Sequence, residues 1–266
     1  MDGLAIRNKE DFMKIYYCIV IGVVMLADVV GTAVGGTVSA VTLAASNEQG
    51  ASSIRGRVIY AGQVPQPQLV TVHRDSKVCG ESLLWETFGV DPATRGLEGV
   101  VVSVEGVPPS SEALAARDIT LESSHCRFIP RVSATTIGST ITFRNSDPIL
   151  HNSQLLQPNN LLPIRLNVLQ PSKVPDVSKV LTELGVFEVR CNIHPFMHAS
   201  ILVFDHPYFT VTDGTGAFKL QGIPAGIYKL RFWHENLGVT EKILTVGGDS
   251  ATDLTIELKK TETPRN

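Results

Sequence analysis

The chain has 266 residues, of which 23 are lysine or arginine and 26 are aspartate or glutamate, so its formal net charge is −3. Without an excess of positive charge, it lacks the basic footprint of a nucleic-acid-binding protein. Charged residues make up only 18% of the sequence, which suits a compact β protein. The length allows one or two domains with a sizeable core.

The N-terminal residues have the composition of an export signal. An apolar run at 15–27 follows Lys14, and small residues dominate 29–45. This order is typical of a secretory signal peptide. A retained membrane anchor is the alternative, because the apolar region is long. We assign residues 1–50 to this segment, which predicts export of the rest of the chain to the periplasm, soluble or anchored to the inner membrane.

Alternating apolar and polar residues predict strands along most of the remaining chain. The predicted strands lie at 54–60, 69–73, 99–104, 118–122, 139–144, 185–191, 199–204, 209–212, 217–221, 228–233 and 254–258. Turn sequences follow several of these runs, at 145–148, 213–216 and 222–226. The pattern therefore predicts an all-β protein.

Two short phrases contain residues that bind soft transition metals. Cys191, His194 and Met197 lie within seven residues of one another, and His151 lies upstream. Two imidazoles, one thiolate and a weak axial thioether are the donors of a blue-copper electron-transfer site. Zinc sites also use Cys and His but rarely Met. The set therefore predicts one mononuclear copper, with zinc or no metal as the alternatives.

The neighbouring residues predict how the ligands are brought together. Cys191 ends the predicted strand 185–191 on the same face as Phe187 and Val189. His151 follows the turn at 145–148, so we expect it in a loop, and we expect a second long loop from 152 to 184. The two ligand phrases then meet at one end of a β-sandwich.

The phrases Cys-x-x-His-Pro-Phe-Met at 191–197 and His-Asn at 151–152 resemble the ligand loops of cupredoxins of the amicyanin and plastocyanin type. The resemblance covers about 113–205 and implies a Greek-key β-sandwich. The copper ligands that it implies are His151, Cys191, His194 and Met197. It also implies that the Asn152 side chain connects the two ligand loops.

Electron transfer in this reading uses the edge of the His194 ring. We expect that edge to reach solvent inside an apolar rim formed by Pro195 and Phe196. An electron would then pass to a redox partner through a small, transient contact.

A second resemblance concerns the C-terminal part. The phrase at 212–230 resembles a carboxypeptidase regulatory-like domain, a small transthyretin-like β-sandwich without peptidase activity. We therefore divide the chain into a cupredoxin domain with an N-terminal β extension at 51–206, this module at 207–260 and a tail at 261–266. The phrase at 54–60 resembles the first strand of such a module, so insertion of the cupredoxin domain into it is the alternative.

The full layout resembles cupredoxin proteins of bacterial envelopes, some of which are labelled methylamine utilization proteins. Such a label does not establish a role in amine oxidation.

The remaining cysteines fit an exported protein. Cys18 lies in the N-terminal segment, and Cys191 is the proposed ligand. Cys79 and Cys126 are left, and in an oxidising compartment they predict a disulfide. Two separate buried thiols are the alternative.

Five further histidines have no role in the predicted copper site: His73, His125, His198, His206 and His234. We expect them to be surface or hydrogen-bonded structural residues. The alternative is a second, catalytic copper, for which His206 and His234 would face each other across a domain boundary.

The sequence thus predicts an exported type 1 copper protein that carries single electrons and is not an enzyme. Its expected partners are redox proteins such as a c-type cytochrome, a dehydrogenase or an oxidase. We expect contact with the membrane only through an N-terminal anchor. Two alternatives stay open: a copper enzyme with a second His-bound metal, and a non-redox copper-binding or envelope interaction module.

Overall fold

A computed structural model describes residues 52–85, 88–107, 114–157, 166–247 and 252–260. Within these ranges nearly all regular structure is β-strand, which confirms the predicted all-β class. None of the described helices has the length and apolar character needed to cross a membrane. The predicted export segment at 1–50 and the predicted tail at 261–266 lie outside the described residues.

The described ranges contain eighteen strands and one helical turn, α1 (Ser76–Cys79). The strands in the first half are β1 (Ser52–Tyr60), β2 (Gln68–Thr71), β3 (Ser82–Trp85), β4 (Val101–Glu105), β5 (Ile119–Ser124), β6 (Arg127–Ile129), β7 (Val132–Thr136), β8 (Thr140–Asn145) and β9 (His151–Leu156). Those in the second half are β10 (Leu166–Gln170), β11 (Val177–Val180), β12 (Gly185–Arg190), β13 (His198–Phe204), β14 (Phe209–Val211), β15 (Ala217–Ile223), β16 (Gly226–His234), β17 (Gly238–Val246) and β18 (Thr252–Leu258).

The first sandwich, formed by β5 to β13, has a five-stranded and a four-stranded sheet. Their strand orders are β10-β9-β12-β13-β7 and β11-β8-β5-β6. Ile141 and Phe143 of β8 share one buried cluster with Phe187 and Val189 of β12, so the two sheets pack face to face. Burying each such side chain contributes about 1.5–3 kcal/mol. The alternating apolar residues of β8 and β12 therefore contribute to this core.

The second sandwich combines strands from both ends of the described chain. Its sheets have the orders β15-β1-β18 and β14-β4-β16-β17. Strand β1 runs parallel to β18, with Ile54 opposite Thr252 and Tyr60 opposite Leu258. A separate buried cluster, which includes Phe232, fills the space between these sheets.

The pairing of β1 and β4 with β14 to β18 defines how the chain is connected. The chain starts in the second sandwich, builds the first with β5 to β13, and then returns. Arg55 and Asp253, which are 198 positions apart, form an ion pair across this junction. Strands β1 and β4 thus belong to the second sandwich, whereas the domain boundaries, including the division at 206/207 and the inserted alternative, stay predictions. The phrase at 54–60 was the local sequence feature that pointed to such a role for β1, whereas no phrase was singled out for β4.

The predicted loops around the first histidine are wrong. His151 is the first residue of β9, and β9, β10 and β11 occupy described parts of the predicted 152–184 loop. Polar residues His151, Asn152 and Ser153 are buried side by side at the start of β9. Because buried polar residues hide the alternation of apolar and polar positions, the pattern gave no strand there.

Gly216, in the turn before β15, tests how closely the second sandwich is packed. Its φ is +76°, and an added Cβ would lie 2.2 Å from the carbonyl oxygen of Val58. We expect Gly216→Ala to lower the free energy of unfolding by about 2–5 kcal/mol through left-handed strain and backbone displacement. Urea unfolding measures this value. Gly214→Ala is the control, because no atom lies within 4 Å of its Cβ position; equal losses in both variants would contradict the prediction.

Candidate metal centre

Three of the predicted ligands meet inside the first sandwich. His151 and His194 have no exposed surface, and Cys191 is 1% exposed. Nδ1 of His194 lies 3.1 Å from Nδ1 of His151 and 3.9 Å from Sγ of Cys191. All three donor atoms lie within 4.8 Å of one another. The fold thus brings together two imidazole nitrogens and one sulfur from positions up to 43 residues apart.

The alternation in β12 places Cys191 in the core. Phe187 and Val189 are buried, and Cys191 continues on the same face immediately after the strand. The loop then closes on itself, because the Met197 amide donates to the His194 carbonyl at 2.9 Å and the Cys191 amide donates to the Met197 carbonyl at 3.2 Å. Met197 is 1% exposed and belongs to the same buried cluster as Cys191. The closed loop therefore holds these residues in a fixed arrangement.

Asn152 connects the two ligand phrases. Its side-chain Oδ1 accepts a hydrogen bond from the Asn192 amide at 3.0 Å, and the Cys191 thiol donates to the same oxygen at 3.5 Å. Its Nδ2 donates to Oδ1 of Asn167 on β10 at 2.9 Å. This buried side chain holds the start of β9 against the Cys loop.

The His151 ring is held by a carboxylate. Its Nε2 donates to Oδ2 of Asp147 at 2.9 Å, and both groups are buried. The same carboxylate accepts hydrogen bonds from the backbone amides of His125 and Cys126, at 2.8 and 2.9 Å. Burial lowers the pKa of the His151 imidazole, and the bond to Asp147 opposes this in part. The ring is therefore neutral at neutral pH and presents a bare Nδ1 to the centre of the site.

The His194 ring is also held by a carboxylate, from a remote part of the chain. Its Nε2 donates to Oδ2 of Asp75 at 3.0 Å, across 119 positions. The prediction that the His194 edge reaches solvent is wrong, because the ring is fully buried and Asp75 covers it. Pro195 is exposed and Phe196 is half-buried, with its ring centroid 5.7 Å from that of His194. These two apolar residues border the loop, but they do not surround an open edge.

A disulfide anchors the segment that carries Asp75. The sulfur atoms of Cys79 and Cys126 are bonded, and both residues lie in the core cluster of the first sandwich. Among the described cysteines, Cys191 is the free one. The bond joins the end of α1 to the β5–β6 turn, beside the amides that Asp147 binds.

The donor set fits a metal ion. Metal–nitrogen bonds of about 2.0–2.1 Å and metal–sulfur bonds of about 2.3 Å allow a nitrogen and a sulfur on one ion to be at most about 4.4 Å apart. The distance of 3.9 Å between Cys191 Sγ and His194 Nδ1 meets this limit, and the two Nδ1 atoms, 3.1 Å apart, lie within the corresponding limit of about 4.2 Å for two nitrogens. Because both Nε2 atoms point at carboxylates, both Nδ1 atoms point at the centre of the site, where imidazole nitrogens can bind one metal ion.

A second group of potential ligands shares one residue with this site. Cys126, Asp147 and His151 also have donor atoms within 4.8 Å of one another. Cys126 is part of the disulfide, so its sulfur is not a thiolate ligand in this state.

The other five histidines lie outside both groups in the described part of the chain. His73 and His125 are exposed. The His198 ring stacks on Trp85 at 4.6 Å, and the His234 ring stacks on Phe88 at 5.4 Å. Burial lowers the pKa of His198 and of His234 to about 4. The ring neighbours of His206 are Phe204, Tyr208 and Phe209.

Asp75 and Asp147 are the residues of the site that the ligand motifs did not reveal. Asp147 lay in the predicted turn at 145–148, four residues before His151, and its spacing gave a weak signal. Asp75 had no local signal, because only the fold brings it to His194.

No family model and no curated protein matches the chain. Among solved structures, it is similar to a purple cupredoxin from Nitrosopumilus maritimus, with 21% identity, a TM-score of 0.30, and coverage of 33% of this chain and 100% of the other. It is similar to a reduced Cu(I) form of an amicyanin mutant, with 20% identity, a TM-score of 0.28, and coverage of 39% and 98%.

A third similar structure is the copper-containing nitrite reductase of Thermus scotoductus, with 22% identity and a TM-score of 0.29. The match covers 38% of this chain and only 25% of that enzyme. These similarities do not identify a metal, so a particular metal is inferred from the donor atoms of this site.

Proposed function

We propose that the first sandwich is a cupredoxin-type domain that binds one copper ion and carries single electrons. The observation that carries this proposal is the convergence of His151 Nδ1, His194 Nδ1 and Cys191 Sγ in a buried pocket. Two imidazoles and a thiolate form the equatorial set of a type 1 copper site. Bound copper would supply one-electron exchange between Cu(I) and Cu(II).

Met197 favours copper over zinc. Its thioether is buried in the same loop as Cys191 and His194, and thioethers are ligands for Cu(I) but rarely for zinc. A zinc site with three protein ligands keeps an open position for water. Here the two histidines are fully buried and Cys191 is nearly so, which leaves the described ligands little contact with solvent.

The protein's own contribution is rigidity. Asn152 fixes the Cys loop, Asp147 and Asp75 fix the rings, and the hydrogen bonds of Met197 close the loop. Ligands that are already in place need little rearrangement when the metal changes charge. This lowers the barrier to electron exchange and suits a carrier.

Export to the periplasm remains part of the proposal. The apolar run at 15–27 supports it, and so does the Cys79–Cys126 bond, because disulfides persist in oxidising compartments. We propose redox proteins as partners, through a transient contact, and a docking or stiffening role for the second sandwich. The copper-enzyme alternative needs a second set of ligands, and the described ranges offer only the group that shares His151.

A visible absorption spectrum of the purified full chain tests the function. We expect one equivalent of Cu(II) to give an intense blue band that ascorbate bleaches and an oxidant restores. A colourless protein that binds one zinc tightly would overturn the proposal. Two coppers per chain at saturation would favour the enzyme alternative.

A further inference from the structure

Both imidazoles of the proposed copper site are held on their outer nitrogen by a carboxylate. His151 donates to Asp147 at 2.9 Å, and His194 donates to Asp75 at 3.0 Å. A carboxylate behind a ligating histidine fixes which ring nitrogen carries the proton and how the ring is oriented. Asp147 precedes its histidine by four residues, whereas Asp75 comes from outside the strands of the first sandwich.

The two carboxylates belong to one connected frame. Asp147 binds the backbone amide of Cys126, Cys126 is bonded to Cys79, and the Cys79 amide donates to the Asp75 carbonyl at 3.0 Å. Val72 and Cys79 are buried in the core of the first sandwich, which seats the segment 72–79 firmly. The buried residues before and after Asp75, Val72 and Cys79, therefore hold its carboxylate over His194.

We propose that Asp75 is a positioning residue of the metal centre, supplied by the disulfide-anchored segment 72–79. Its carboxylate holds the His194 proton on Nε2, turns Nδ1 towards Cys191, and covers the ring edge. This inference rests on the proposed copper function. It implies that a redox partner does not contact the His194 edge while the segment is in place.

The charge of Asp75 has its own consequence. A carboxylate one imidazole ring away stabilises Cu(II) more than Cu(I), because the interaction with the higher charge is stronger. The native residue therefore lowers the reduction potential. Asp75→Asn keeps an oxygen that accepts the hydrogen bond but removes the charge, so we expect it to raise the potential. Asp75→Ala removes both the charge and the hydrogen bond.

The first measurement uses the metal-free full chain. In ¹⁵N-resolved NMR spectra we expect a protected Nε2–H signal for His194 in the wild type and its loss in Asp75→Ala. Asp253→Ala is the matched control, because Asp253 is also a carboxylate with a side-chain partner, in its case Arg55, but lies on β18 of the second sandwich. The control should keep the His194 signal.

The second measurement adds copper. We expect Asp75→Ala to bind it 10- to 100-fold more weakly, the usual effect of removing such a partner, and Asp253→Ala to match the wild type. Wild-type affinity and potential in the Asp75 variants, beside a blue wild-type protein, would overturn the inference. A wild type that binds no copper would overturn the proposed function and with it the metal role of Asp75. In that case the metal-free spectra would still show whether Asp75 accepts a hydrogen bond from His194 Nε2.

Discussion

Replacing Cys191 by serine should abolish the blue absorption of the copper-loaded protein completely. The band of a type 1 site arises from charge transfer between the thiolate and copper, and a serine hydroxyl is neither ionised nor soft enough to replace it. Cys191 is 1% exposed and its sulfur lies 3.9 Å from Nδ1 of His194. It is the free cysteine of the described residues, so none of them offers another thiol as a substitute. The visible spectrum after addition of Cu(II) measures the effect, and circular dichroism checks that the variant folds.

A matched pair of histidine variants shows whether the effect is specific to the ligands. His194→Gln should lose the blue band, because Nδ1 of His194 faces both other donors. His198→Gln removes a nearby imidazole that stacks on Trp85 and should keep the band. A blue Cys191→Ser protein, or equal loss of colour in both histidine variants, would show that the ligand assignment is incorrect.

The sequence predicted the parts of the site that depend on local pattern. The alternation of Phe187 and Val189 predicted that Cys191 would point into the core, and all three are buried. The phrases around Cys191 and His151 predicted the donors that the fold brings within 4.8 Å. For Cys191 the two-residue period of a β-strand determines which face each successive side chain occupies, whereas the donors themselves were recognised from the two ligand phrases.

The parts that depend on distant contacts could not be predicted in this way. Asp75 reaches His194 only because α1 and the Cys79–Cys126 bond place it there. The strand β17 was missed because most of its residues are exposed, so it has no alternating apolar face. Neither the order of strands in a sheet nor the partner of a surface carboxylate has a local sequence signal.

Within the proposed function, the contact of Asp75 with His194 changes the predicted route of the electron. A cupredoxin-like loop alone implied an exposed ring at His194, and the ligand phrase contains nothing that argues against it. The added segment 72–79 closes that edge. A segment that precedes the strands of the sandwich, here 72–79, can therefore cover the exposed edge of a ligand in a proposed metal site without changing any of the ligands.

Removing the Cys79–Cys126 bond should both destabilise the protein and uncover His194. The bond closes a loop of 47 positions, and loss of such a constraint typically costs about 2–5 kcal/mol. The measurement is urea unfolding of the Cys79→Ser/Cys126→Ser double variant. We also expect faster oxidation of its Cu(I) form by a small oxidant such as hexacyanoferrate, because the segment that covers His194 loses its covalent anchor.

Both cysteines must be replaced together in this experiment. A lone Cys126 thiol would lie within 4.8 Å of the donor atoms of Asp147 and His151 and would compete for the metal. Dithiothreitol provides the control in the metal-free state, since it should destabilise the wild type by a similar amount and leave the double variant unchanged. An unchanged oxidation rate, combined with the expected loss of stability, would mean that core contacts such as that of Val72 hold the segment over His194 without the disulfide.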